Sequence, residues 1–192
     1  MSQVVTLRAS LRERAGKGAA RAARRAGQVP AVVYGDKKAP VMIAVDPREL
    51  NTELHKGGFF ARLFDIDTGN EKHRVLARDV QFHPVTDRPE HVDFLRVGAD
   101  STISVDVPVH FINQEKSLGI KKGGLLNIVQ HTVELEVNAN DIPDHLTVDL
   151  LNVDINGSVH VSMLQIPAGA KIVGGERDFT IATIVPASGG DA

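Results

Sequence analysis

From residue 103 to residue 184, apolar and polar residues repeatedly alternate one for one. Val133-Glu134-Leu135-Glu136-Val137 is the clearest run. Ile103-Ser104-Val105-Asp106-Val107, Leu146-Thr147-Val148-Asp149-Leu150, Val159-His160-Val161 and Phe179-Thr180-Ile181-Ala182-Thr183-Ile184 follow the same rule. Successive side chains of a strand point to opposite faces, so a period of two sorts these residues into one dry face and one wet face. A helix, with a period of about 3.6 residues, would scatter them. Acidic outward positions fit half-exposed antiparallel strands. Residues 100–185 are therefore expected to form an all-β domain, with 186–192, small and polar, as a loose tail.

The first half mixes strands with helices. Strand patterns run over Val4 to Ala9, Val29 to Gly35, Val41 to Val45, Phe60 to Asp67, Glu71 to Val80 and His91 to Arg96. Asp67-Thr68-Gly69-Asn70 reads as a hairpin turn, and Asp36-Lys37-Lys38 as another turn. The segment Ala19 to Ala26 is rich in alanine, the strongest helix former, and Gly27 is placed to end it. Asp46-Pro47 supplies an N-cap and a first-turn proline for a second helix, which Lys56-Gly57-Gly58 stops after His55. A proline-bearing loop spans Phe82 to Pro89, and Gly98-Ala99-Asp100-Ser101 marks a boundary. The expected architecture is mainly β with a few helices, in domains 1–96 and 100–185.

Composition narrows the function. Of 192 residues, 42% are hydrophobic and 4% aromatic, with no Trp, so Val, Ile, Leu and Ala must build the cores. Cysteine is absent, which excludes disulfides, thiolate metal sites and Cys nucleophiles. No apolar run approaches the roughly 20 residues of a membrane span, and Met1 to Arg14 lacks the pattern of a signal peptide. A soluble cytoplasmic protein with no cofactor is expected. The net charge of −2 conceals an asymmetry. Residues 1–96 carry 17 Lys and Arg against 12 Asp and Glu, a balance of +5; residues 97–192 carry 5 against 12, a balance of −7. A basic half joined to an acidic half points to nucleic-acid binding by the first.

The basic residues concentrate early. Arg12, Arg14 and Lys17 lie in a glycine-bearing loop, and Arg21, Arg24 and Arg25 recur three and four residues apart on one helical face. Alanines beside them leave little bulk to hold a phosphate backbone away. A merely solvated helix would carry compensating acids at i±4, and only Glu13 is near. Gly16-Lys17-Gly18 lacks the rest of a nucleotide-binding loop. His83, His91 and Asp93 offer the residue types of a two-His, one-carboxylate metal site, but no close ligand pair supports it. No serine stands in a nucleophile elbow, so no catalytic residue is assigned. Gly119-Ile120-Lys121-Lys122-Gly123-Gly124 reads as a mobile basic loop.

Several ordered motifs together resemble one family. Gly16-Lys17-Gly18-Ala19, the arginines through Arg25, Val29-Pro30-Ala31-Val32-Val33-Tyr34-Gly35, Asp79-Val80-Gln81-Phe82-His83-Pro84 and His91-Val92-Asp93-Phe94 are similar to the twenty-fifth large-subunit ribosomal protein family of bacteria. The length resembles its two-domain CTC/TL5 form, a general stress protein. The resemblance implies a small N-terminal β-barrel with two helices that binds 5S rRNA around an irregular internal helix. By motif, it maps RNA contacts onto Arg12, Lys17, Arg21, Arg24, Tyr34, Arg78, Gln81, His91 and Asp93. This chain has Ala20 where the family often has Ser, Ala22 where it has Arg, and Arg78 where glutamine is common; Arg25 stands near enough to replace the missing arginine.

Chemistry accounts for the mapped residues. Arg12, Lys17, Arg21, Arg24 and Arg25 neutralise phosphate, Tyr34 stacks or donates its hydroxyl, and Gln81, His91 and Asp93 read base edges or 2′-hydroxyls. The expected protein is a non-enzymatic constituent of the large ribosomal subunit in the cytoplasm. It binds 5S rRNA rather than DNA or membrane, with its acidic domain towards neighbouring ribosomal proteins. A stress-associated RNA-binding protein acting off the ribosome, and a small metal enzyme using His83, His91 and Asp93, are the alternatives.

Overall fold

A computed structural model describes residues 4–69, 71–98, 101–167, 169–173 and 178–186. The chain divides into two compact units, Met1–Ile103 with Asn138–Ile142, and Ser104–Val137 with Pro143–Ala192.

The first unit holds strands β1 (Val5–Leu11), β2 (Val29–Gly35), β3 (Lys38–Val45), β4 (Leu63–Asp67), β5 (Lys72–Phe82) and β6 (Pro89–Arg96), with helices α1 (Lys17–Arg25) and α2 (Pro47–His55). The strands close into a barrel in the order β1-β3-β2-β6-β5-β4. Parallel pairing of β1 with β4 and of β2 with β6 completes the ring, and the other four neighbours are antiparallel. Closure removes the unpaired edges that an open sheet exposes. Inward residues Leu7, Val33, Ile43, Val45, Ile66, Val75 and Val92 fill the interior. Of the chain's few aromatics, Phe59, Phe64 and Phe94 gather there, with Phe64 4.9 Å from Phe59 and 6.4 Å from Phe94 between ring centres.

Local chemistry sets the connections. Asp36 and Lys37 both take left-handed backbone (φ 57° and 52°) between the paired residues Gly35 and Lys38. Two such residues give the tight turn whose twist suits a hairpin. The Asp46 carboxylate accepts the Arg48 N–H at 2.7 Å, capping α2 as expected, and Leu50 anchors that helix in the core. Glu53, nearly buried, is balanced by Lys56 at 2.6 Å and Arg62 at 3.6 Å. The expected strand from Phe60 starts later, because Phe59–Ala61 forms a 3-10 turn.

The second unit holds most of β7 (Thr102–Ile112) and β9 (Thr132–Asn138), with β8 (Gly124–Ile128), β10 (Leu146–Asp149), β11 (Ser158–His160), β12 (Lys171–Ile172), β13 (Thr180–Pro186) and a short helix, α3 (Leu118–Lys121). They form two sheets, β10-β7-β9-β12 and β11-β13-β8. The alternation holds in detail: Val133, Leu135 and Val137 are buried while Glu134 and Glu136 are exposed. Three expectations need correction. Strand β10 pairs with β7 in parallel, because the chain makes β8 and β9 before returning to the far side of β7. The stretch 119–124 is no mobile loop: Gly119 is buried in α3, its N–H bonds the Val153 carbonyl at 3.0 Å, and Lys122 pairs with Asp154. Pro186 belongs to β13, opposite Gly124. The remainder of the expected tail, 187–192, and boundary residues 99 and 100 lie outside the described residues. Among the described residues, no helix is long and apolar enough to cross a membrane.

Candidate nucleic-acid interface

Helix α1 buries no residue. Only Ala19, Ala20 and Ala23 are half-buried, and the helix packs against β2. Its end is well determined. The Gly27 N–H bonds the Arg24 carbonyl at 3.0 Å, the Gln28 N–H bonds the Ala23 carbonyl at 2.9 Å, and Gly27 takes a φ of 76°. That pair of bonds across a left-handed glycine is the Schellman ending, and Gly27 stands at the expected position.

The structure regroups the helical cations. Lys17, Arg21 and Arg25, each four residues apart, form an exposed stripe with no ion pair among the described residues. Like charges at this spacing repel, which an external polyanion relieves. Arg24 departs from the stripe. Its Nε donates to the Glu90 carbonyl at 3.1 Å, and its guanidinium lies 3.9 Å from the Glu90 carboxylate. Arg24 therefore fastens α1 to the first turn of chain in β6.

Strand β6 carries the next group. Gln81 on β5 stands directly opposite His91 on β6, and Asp79 opposite Asp93. A register shift between Ala77 and Asp79 leaves Arg78 as the extra residue, so Arg78 and Asp79 are both exposed in succession. Such a bulge re-aims a side chain that a regular strand would turn inward. His91 Nδ1 lies 2.8 Å from Asp93 Oδ1, with both side chains about one-third exposed (29% and 34%). The approach lacks the alignment of a hydrogen bond, and Asp93 Oδ1 is buried without a hydrogen-bond partner among the described residues. Tyr34 is half-buried on β2, the strand on the other side of β6, two residues beyond Val32, which pairs with Asp93. Thus Tyr34, Arg78, Gln81, His91 and Asp93 occupy three adjacent strands.

Arg12 follows β1. Its N–H bonds the Met42 carbonyl at 2.9 Å and its Nη2 reaches the Arg14 carbonyl at 3.5 Å, while Nε and Nη1 are shielded with no hydrogen-bond partner among the described residues. His83 serves its own loop: Nδ1 accepts the N–H groups of Val85 and Thr86, each at 3.3 Å. Among the described residues, no group of three or more His, Asp or Glu is placed to hold a metal ion.

Sequence reasoning overlooked one feature of this unit. A cleft of about 680 Å³ lies between the end of α1, the start of α2 and the 83–90 loop, and Arg24, Arg48 and Arg88 line it together. Residues so far apart along the chain give no local pattern from which to foresee such a grouping.

The ribosomal L25p family model matches residues 7–94, and that of the ribosomal protein TL5 C-terminal domain matches residues 102–188. The chain belongs to the ribosomal L25p family. It is 53% identical over 190 residues to a protein of Rhodospirillum rubrum named large ribosomal subunit protein bL25, covering 98% of this chain and 90% of that one. A protein of the same name from Mesorhizobium japonicum is 53% identical over 182 residues, covering 95% and 85%. Another from Rhizobium meliloti is 52% identical over 184 residues, covering 96% and 90%. The L25p match spans every residue of the basic surface, and the TL5 match covers the acidic half. The family is ribosomal and is not an enzyme family.

Proposed function

We propose that the chain is a constituent of the cytoplasmic large ribosomal subunit that binds 5S rRNA through residues 1–96. One observation carries the reading. The bond from Arg24 to Glu90 ties α1 to the strand that bears His91 and Asp93. A stripe of unpaired cations is thereby held near a strand surface rich in hydrogen-bonding groups. Lys17, Arg21 and Arg25 meet phosphates, while Gln81 and His91 meet base edges or 2′-hydroxyls. Arg12 adds positive charge just before α1, and Arg78 and Tyr34 flank the strand surface. Asp93 orients His91 and avoids phosphate. Arg24 acts chiefly as the tether. Residues 100–185, acidic and half-exposed, form a separate domain that faces neighbouring ribosomal proteins, since its charge repels RNA.

The test is direct. Full-length protein should bind a 5S rRNA transcript saturably, in preference to random RNA of equal size, and should cosediment with washed 50S particles. Equal affinity for both RNAs would sink the proposal. Selective RNA binding without cosedimentation would place the protein off the ribosome.

A further inference from the structure

We propose that the cleft between α1, α2 and the 83–90 loop is a second phosphate-binding surface, which takes a stretch of RNA backbone beyond the part met by α1. The inference rests on the RNA-binding reading above and extends it to Arg48 and Arg88, which neither the motif resemblance nor the sequence pattern singled out. Three arginines, Arg24, Arg48 and Arg88, line the cleft with one acidic residue, Glu90. Glu90 is already engaged with Arg24. The guanidinium groups of Arg48 and Arg88 form no ion pair or hydrogen bond among the described residues. Two of the three arginines lining the cleft thus have no carboxylate to balance them among the described residues.

His83 adds a donor of fixed sense. Because its Nδ1 accepts two backbone N–H groups, the ring proton must sit on Nε2. His83 is one of the residues lining the cleft, and an Nε2–H is a donor of the kind that complements a phosphate oxygen. Asn51 lines the same cleft. The start of α2 is not the anchor, since Asp46 already caps the Arg48 N–H and Pro47 has none.

The shape favours RNA backbone over a free nucleotide. The cleft, at about 680 Å³, is wider than one phosphate needs. Its rim includes Gly27 and Gln28, which directly follow α1. A strand whose phosphates lie along Lys17, Arg21 and Arg25 can therefore continue past the helix end onto Arg48 and Arg88.

The experiment compares the full-length protein with the double variant Arg48→Ala/Arg88→Ala, using a 5S rRNA transcript across a salt series. Each lost phosphate contact lowers the slope of log affinity against log salt by about 0.7–0.9, so two should lower it by about 1.4–1.8. Across a fourfold rise in salt, the variant should lose about tenfold less affinity than the parent. A control, Lys121→Ala/Lys171→Ala, removes equal charge from the second unit and should leave the slope unchanged. A parent that binds the transcript and a cleft variant with the same salt slope would overturn the cleft while leaving the RNA-binding reading intact. A parent that binds no RNA would overturn both. Adenosine 5′-monophosphate should show no saturable binding at millimolar concentration. If it bound, and the double variant lost that binding while keeping the parental RNA slope, the cleft would be a nucleotide site and the proposal would be wrong.

Discussion

Replacing Gly27 by alanine isolates the part that α1 plays. Gly27 has a φ of 76°, and a Cβ placed there meets nothing within 4 Å. The penalty is therefore one of backbone alone, about 1–2 kcal/mol for an L-residue in left-handed conformation. It falls on a helix of nine residues with no buried side chain, too short to persist without its docking contacts. The ratio of docked to frayed helix should drop about fivefold to thirtyfold. Apparent RNA affinity follows the docked fraction. For a parent ratio near ten, the loss is about 1.4-fold to fourfold; for a ratio near one, about threefold to fifteenfold. Amide exchange should quicken over residues 20–28, whereas amides of β2, β5 and β6 should keep their protection. The salt slope should hold, since every cation is still present in the bound state. Faster exchange at the helix with undiminished RNA affinity would break the link between α1 and binding. Faster exchange through the barrel would show that α1 is integral to the fold.

Other perturbations separate the remaining contributions. Arg21→Ala should lower the salt slope of RNA binding by about 0.7–0.9. It should leave the denaturation midpoint in place, because Arg21 is exposed and has no ion pair among the described residues; an unchanged slope would remove Arg21 from the interface. Phe64→Ala empties a fully buried position between Phe59 and Phe94. It should reduce unfolding free energy by about 3–5 kcal/mol in urea titration, and a loss below about 1 kcal/mol would contradict the packing described. The Asp154 carboxyl is held below its ordinary value of 3.8, first by the hydrogen bond from Lys122 and then by the Ile155 N–H. The folded protein therefore takes up this proton at lower pH than the unfolded chain. The stabilisation is complete above the ordinary carboxylate range and disappears as pH falls through the lowered folded value. Asp154→Asn should flatten the acid limb of the stability profile slightly, the group being exposed, and an unaltered limb would remove this pair from the account.

Residues that act through near neighbours were legible in the chain, and those that act through distant ones were not. Asp46-Pro47 announced α2, Gly27 the end of α1, and the runs around Val133 and Leu135 their strands, because each depends on a few adjacent residues. Closure of the barrel depends on β1 meeting β4 and β2 meeting β6 in parallel, and no periodicity encodes which strands will meet. β8 escaped notice because Gly124-Leu125-Leu126-Asn127-Ile128 does not alternate cleanly, and β12 because it is two residues long. The arginines of α1 were assigned to one face on spacing alone. Their separation needed the position of Glu90, sixty-six residues from Arg24. The pairing of Arg48 with Arg88 across a cleft was beyond reach for the same reason.

Barrel and helix are built to different standards of rigidity, and the difference bears on recognition. Gln81, His91 and Asp93 stand on strands whose other faces bury Val80, Val92 and Phe94, and the ring they belong to has no free edge. Groups held in this way cannot shift without disturbing the core, which suits them to discriminating base edges, where small displacements destroy hydrogen bonds. Helix α1 rests on three half-buried alanines, one arginine and a glycine ending. It can adjust by a rotation or a partial fraying at little expense. Phosphate contacts tolerate such adjustment because charge attraction depends weakly on angle. On the proposed reading, selectivity should therefore reside in the strand residues and most of the salt dependence in the helix. A His91→Ala variant should narrow the preference for 5S rRNA over random RNA at nearly constant salt slope. If it instead weakened both RNAs equally, His91 would be one more positioning contact, and the division between a fixed reader and an adjustable clamp would fail.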